Sequence, residues 1–166
     1  EIIAVVFWPQ SVNLSVEDLS MTEPQTVQIL LVEDDDIDAE AVKRAFRARR
    51  IANPIHVVTN GLEALQKLRG ENESPPMQRP YLVLLDLNMP RMGGLEFLDA
   101  VRDDPMLRDT IIFVLTTSDA DRDKISAYEK NVAGYVVKSR VGEDFLNLVN
   151  VIDHYWRYVE FPPPHD

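Results

Sequence analysis

Two kinds of segment alternate along the chain. Short, nearly unbroken apolar runs occur at Val27–Val32, Ile55–Thr59, Tyr81–Leu85, Ile111–Leu115 and Tyr135–Val137. Runs of this length and density predict strands, buried on both faces where the run is continuous. Between them the apolar residues are spaced as on one face of a helix. In Ile37–Arg49 they fall at Ile37, Ala41, Val42, Ala45 and Phe46. Further helices are predicted over Leu62–Leu68, Leu95–Val101, the polar-faced Asp121–Lys130 and a long Val141–Val159. Strand and helix alternate five times, which predicts an α/β fold with a parallel sheet and helices on both faces. Glu71–Pro80 holds three prolines and reads as a long loop.

The N-terminal stretch does not follow this rhythm. Ile2–Trp8 is an apolar run of seven residues, where a membrane span needs roughly 20. No basic residue precedes it and no small-residue cleavage site follows, so a secretory signal is a poor fit. With Met21 just ahead of the first strand, residues 1–20 read as a leader or tag. The competing reading is an extra edge strand at Ile2–Trp8 that packs on a partner. The expected organisation is an N-terminal extension over 1–26, a globular body over 27–154 and a C-terminal arm over 155–166.

Composition narrows the function classes. The 166 residues suit about one domain, and 45% apolar with 27% charged residues suffices for a core. A formal net charge of −11 repels phosphates, so nucleic acid is not an expected partner. Neither is a membrane. Cysteine is absent, which removes disulfides, thiolate metal sites and cysteine nucleophiles, and fits a reducing compartment.

In an open parallel sheet, ligands bind beyond the carboxyl ends of the strands. Those ends carry Glu33, Asp34, Asp35 and Asp36 after the first strand, and Asp86 to Pro90 after the third. Thr116, Thr117 and Ser118 follow the fourth, and Lys138 and Ser139 the fifth. Asp36 and Asp38 read most simply as acids capping the following helix, as Asp35 also could. Asp86 ends the run Tyr-Leu-Val-Leu-Leu, and a carboxylate on a buried central strand is costly unless a positive group meets it. A calcium loop does not explain the acidic run. Counted from Asp34, its sixth position is Ala39 and its twelfth is Ala45.

The set Leu-Val-Glu33-Asp34, Leu-Leu-Asp86-Leu-Asn-Met-Pro, Leu-Thr116 and Val-Val-Lys138 resembles the CheY-like receiver domains of two-component signalling. The spacings of 52, 30 and 22 residues between Asp34, Asp86, Thr116 and Lys138 suit that family. The resemblance covers about Val27 to Trp156. It implies a flavodoxin-like (βα)5 three-layer sandwich with sheet order 2-1-3-4-5. It implies a phosphoacceptor at Asp86 and a metal site from Glu33, Asp34, Asp86 and the backbone carbonyl of Asn88. The implied metal is Mg²⁺, with Mn²⁺ or Ca²⁺ able to substitute. Lys138 would pair with the phosphoryl group. Thr116 and Tyr135 would form a switch, and Asn88 and Ser118 would tune dephosphorylation. The implied partner is a sensor histidine kinase, and the implied setting cytoplasmic.

The sequence departs from the family pattern in places. Ser139 follows Lys138 where most receivers have a cis-linked proline, which leaves the Lys138–Ser139 bond open as cis or trans. Gly93 stands where an Asp or Asn commonly precedes the family glycine, here Gly94. The Lys-Ser-Arg version and the tail Tyr155-Trp156…Phe161-Pro162 resemble the single-domain regulators paired with bacterial phytochrome histidine kinases. That subgroup implies a homodimer, with Tyr155, Trp156, Val159 and Phe161 as expected contacts because they lie past the end of a small core; the competing reading is that these side chains fold back onto their own subunit. Two other readings compete. A haloacid-dehalogenase-type phosphohydrolase also uses a strand-end aspartate, but it needs a second Asp two residues on, where Asn88 stands. A pseudo-receiver scaffold would take no phosphate, although here the set of four is complete.

Overall fold

The computed structural model describes residues 7–8, 25–141 and 145–165. Five strands, β1 (Gln28–Val32), β2 (Ile55–Val58), β3 (Tyr81–Leu85), β4 (Ile111–Thr116) and β5 (Gly134–Val137), form one parallel sheet of order β2-β1-β3-β4-β5. This is the 2-1-3-4-5 order that the resemblance implied. Helices α1 (Asp36–Ala48), α2 (Gly61–Arg69), α3 (Gly94–Asp103) and α4 (Asp121–Glu129) alternate with the strands, and α5 (Lys138–Val141) and α6 (Leu146–Tyr158) follow β5.

The apolar patterning explains the layers. All five residues of β3 are buried, as are four of five in β1, because helices cover both faces of these central strands. On one face Ile29, Leu31, Leu82, Leu84, Phe113 and Leu115 meet Val42 and Phe46 of α1 and Leu148, Val149 and Ile152 of α6. On the other, Leu30, Val32, Val83, Leu85, Ile112 and Val114 meet Leu65 and Leu68 of α2, Phe97, Leu98 and Val101 of α3, and Ala127 of α4. Within α4 only Ala127 is buried, in keeping with its polar sequence.

The C-terminal region corrects the expectation of one helix over 141–159. A short helix, α5, already begins at Lys138, and α6 begins only at Leu146. Before α6 stands Phe145 in the left-handed region, at φ 55°. The Lys138–Ser139 bond is trans. Beyond Tyr158 the chain turns back along its own subunit. Phe161 is buried in the core and makes an edge contact with Tyr155, ring centroids 6.5 Å apart. Tyr155 in turn sits edge-on to Phe113 at 4.8 Å. His165 Nε2 then lies 3.1 Å from Asp109 Oδ2, and Asp109 also pairs with Arg79 at 2.6 Å. Arg79 and Asp109 lie two residues before β3 and β4, so the arm crosses the end of the sheet where these strands begin.

Two expectations change as a result. Trp156 and Phe161 are each 4% exposed and belong to the chain's own core, so neither is a free dimer contact. The reason is that α6 runs to Tyr158, which lets the arm reach back and cover its apolar face. Tyr155 is half-buried by the same packing, whereas Val159 stays exposed. At the other end, Phe7–Trp8 pairs antiparallel with Gln25–Thr26 of the same chain, in a two-stranded ribbon separate from the main sheet. The rest of the expected Ile2–Trp8 strand, and most of the 1–26 extension, lies outside the described residues. No helix among the described residues is long and apolar enough to cross a membrane.

Candidate phosphoacceptor site

Sheet register assembles the site. Val32 of β1 is level with Leu85 of β3, so Glu33 and Asp86, each the next residue, emerge side by side. The Asp86 N–H donates to Val32 O at 3.0 Å, which holds the two strand ends together. Thr116 ends β4 level with Val137 of β5, and Lys138 follows at once. Four strands thus deliver four polar residues to one edge of the sheet.

Carboxylate oxygens of Glu33, Asp34 and Asp86 all lie within 4.8 Å of one another. Glu33 and Asp86 are buried, while Asp34 faces solvent. Burial disfavours the charged form, and it pushes the pKa of both buried acids above the usual carboxylate value despite the nearby Lys138. One Asp86 oxygen accepts from the Leu87 N–H at 2.8 Å. The nearby Thr116 hydroxyl and Asn88 N–H also favour its charged form. Thr116 is fully buried, and its Oγ1 accepts the Ser118 N–H at 3.3 Å.

Lys138 is not a solvated surface lysine. Its ammonium sits 2.6 Å from Glu33 Oε2, 2.7 Å from Asp38 Oδ2 and 4.0 Å from Asp86 Oδ2, with the side chain 9% exposed. Burial works against its charge, but the bonds to Asp38 and Glu33 and the charge of Asp86 outweigh it and hold the pKa above the usual lysine value. The capping assignment changes accordingly. Asp35 is the N-cap of α1 and accepts from the N–H groups of Ile37 and Asp38. Asp36 and Asp38 stand in the first turn, and Asp38 reaches the site as a member that sequence reasoning missed. A signal for it existed. Side chains of a helix tilt toward its N-terminus, and an acid in the first turn after β1 therefore leans toward the strand ends.

The remaining expected residues lie around this cluster. The Tyr135 hydroxyl donates to Ser118 O at 2.9 Å, and Ser118 Oγ donates to Asp123 Oδ2 at 2.6 Å. Asn88 is exposed beside Asp86. Gly94 opens α3 against the loop after Asp86, where its N–H donates to Leu87 O at 2.9 Å. A Cβ there would lie 2.5 Å from Asp86 O and 2.7 Å from Leu87 Cα, so only glycine lets α3 approach this closely.

The residues present fit a divalent cation. Three carboxylates converge with a single ammonium close by, which leaves excess negative charge in a set of oxygen donors. Hard cations such as Mg²⁺ take oxygen ligands and commonly one or two carboxylates.

Comparison with known proteins agrees with this geometry. The response regulator receiver domain profile matches residues 29–150. Response regulator Rcp1 of Synechocystis sp. is 36% identical over 128 residues, 77% of this chain and 87% of that protein. The probable methanogenesis regulatory protein FilR2 of Methanothrix harundinacea is 37% identical over 128 residues, 77% of this chain and 82% of that protein. The phosphorylated cyanobacterial phytochrome response regulator RcpA superposes with a TM-score of 0.74 at 32% identity, over 82% of this chain and 98% of its own. The Mn²⁺-bound form of Rcp1 gives 0.72 at 36% identity, over 82% and 99%. With its sheet order, its strand-end residues and a profile match over most of its length, the chain belongs to the response regulator receiver domain family.

Proposed function

We propose that the chain is a response regulator that accepts a phosphoryl group on Asp86 from the phosphohistidine of a sensor histidine kinase. The observation that carries this reading is the approach of Glu33, Asp34 and Asp86 to within 4.8 Å, with the Lys138 ammonium 4.0 Å from Asp86. An Asp86 oxygen would form a bond to phosphorus as the P–N bond of the donor breaks, and that electron pair returns to the imidazole. Lys138, 4.0 Å from Asp86, would supply positive charge and the Thr116 hydroxyl a donor for the phosphoryl oxygens. Glu33, Asp34, Asp86 and the Asn88 carbonyl would hold Mg²⁺, which when bound offsets charge on the transferred oxygens. The similarity to Rcp1, which has an Mn²⁺-bound form, supports a divalent ion of this class.

Ser118 and Tyr135 would relay the change at Thr116, since the Tyr135 hydroxyl already rests on the Ser118 carbonyl. Output would pass by protein contact. The likeness to Rcp1 and RcpA supports a phytochrome-type kinase as donor. Two copies would meet through the exposed Val151, Tyr158 and Val159 of α6 and the arm, and the buried Trp156 and Phe161 would support that surface from within. A phosphohydrolase is not favoured, because Asn88 offers no carboxylate two residues past Asp86. The deciding experiment is incubation with Mg²⁺ and acetyl phosphate, followed by intact mass. One phosphoryl per chain is expected in the wild type and none in Asp86→Asn. Uptake that survives in Asp86→Asn, or sustained turnover of a phosphoester, would reject the reading.

A further inference from the structure

Lys138 does not rest on the residue it would serve. An ammonium has three N–H donors. One is committed to Glu33 Oε2 at 2.6 Å and another to Asp38 Oδ2 at 2.7 Å. The nearest Asp86 oxygen, at 4.0 Å, is beyond hydrogen-bonding reach. Glu33 belongs to the metal-binding set, and Asp38 does not. Asp38 comes from a separate element, the first turn of α1, which Asp35 caps with two hydrogen bonds.

We propose that Asp38 is a positioning residue that holds the Lys138 ammonium at a resting place beside α1 and sets how readily the lysine transfers to a phosphoryl group on Asp86. The proposal rests on the phosphoacceptor reading given above. A phosphoryl group on Asp86 brings negative charge and acceptor oxygens to a residue whose nearest oxygen now lies 4.0 Å from the ammonium. The ammonium then has to exchange one charged partner for another. Asp38 is suited to letting go. Its side chain is 30% exposed, and it lines an open cleft of about 730 Å³ with Ile37, Arg44, Thr117 and Phe145. Water enters such a cleft, and the Arg44 guanidinium borders it, so the released carboxylate is neither dry nor far from positive charge. Glu33 is 2% exposed and has no comparable outlet. Competition from Asp38 therefore lowers the fraction of chains in which Lys138 engages the phosphoryl oxygens.

The test compares Asp38→Asn, which keeps the shape and removes the charge, with Asp38→Glu, which keeps the charge. Beryllofluoride, an inert mimic of the phosphoryl group, is titrated in the presence of Mg²⁺. Its dissociation constant is expected to fall about threefold to tenfold in Asp38→Asn, and to stay near wild type in Asp38→Glu. A constant that is unchanged or higher in Asp38→Asn overturns the proposal. A second readout needs no metal. In the metal-free wild type, nitrogen-15 NMR of the Lys138 ammonium should show slowed proton exchange, which Asp38→Asn abolishes and Asp38→Glu restores. An ammonium signal indifferent to Asp38→Asn also overturns it. A wild type that neither binds beryllofluoride nor takes up phosphoryl from acetyl phosphate rejects the phosphoacceptor reading and this proposal together. Phosphoryl uptake with no effect of residue 38 rejects this proposal alone.

Discussion

As the proposed phosphoacceptor, Asp86 meets two opposing demands, since a nucleophile must be ionised and a buried carboxyl resists ionisation. Burial holds its pKa above the ordinary 3.8, so the folded chain binds that proton more tightly than the unfolded chain does. The stability this contributes is present at low pH and is lost as pH rises through the raised value. In the metal-free protein, Asp86→Asn is therefore expected to raise the melting temperature by a few degrees near pH 7. The advantage should shrink as pH falls toward about 4, where wild-type Asp86 also becomes neutral. Calorimetry across that range checks it, and a gap independent of pH would contradict it. Glu33, Asp86, Thr116 and Lys138 were legible in the sequence because each directly ends an apolar run, and a parallel sheet gathers such ends on one edge. Asp38 was not legible as a partner of Lys138. An acid early in a helix ordinarily serves the helix itself, and this contact joins residues 100 apart in sequence.

At the scale of elements, the five strands could be read because each apolar run is short, dense and bounded by polar residues. The helical boundary near Phe145 could not. Phe145, Leu148, Val149 and Ile152 keep the helical apolar period, while the break depends on an aromatic residue adopting a left-handed backbone that sequence assigns to glycine or asparagine. Arg102 shows another tie hidden from sequence, because its partners are backbone carbonyls. At the end of α3 its guanidinium donates to Lys130 O at 2.7 Å, Arg108 O at 2.8 Å, Asn131 O at 2.9 Å and Thr110 O at 3.0 Å. It thereby joins α3 to the turn after α4 and to the approach into β4. Arg102→Ala leaves these carbonyls short of a charged donor, at an expected cost of about 2–4 kcal/mol in urea unfolding. Arg102→Lys should recover little, since a single ammonium cannot reach all four positions in the guanidinium's fixed fork.

For the whole molecule, the net charge of −11 and the acidic cluster act in the same direction. A divalent ion bound only by the folded state should raise stability by about 2.7 kcal/mol at a hundredfold excess over its dissociation constant. Millimolar Mg²⁺ is accordingly expected to shift the melting temperature upward, and a chelator to reverse the shift. Glu33→Gln with Asp34→Asn should abolish it. The arm supplies a separate share of stability. Phe161→Ala should cost about 3 kcal/mol by removing a core side chain, yet leave the proposed phosphoryl uptake by Asp86 intact. Fold class was legible in the alternation of strand and helix, and sheet order came only through the family resemblance, but the placement of Trp156 and Phe161 was not legible, because apolar residues past a core read alike whether they turn inward or await a second copy. Where the arm is fastened has a practical consequence. His165 contacts Asp109, two residues before β4 begins, whereas Thr116 ends β4. Six residues at roughly 3.3 Å each set these poles about 20 Å apart. A dye attached near His165 would thus report from the far pole without crowding incoming donors, and any brightness change on beryllofluoride addition would mark strain transmitted along that strand.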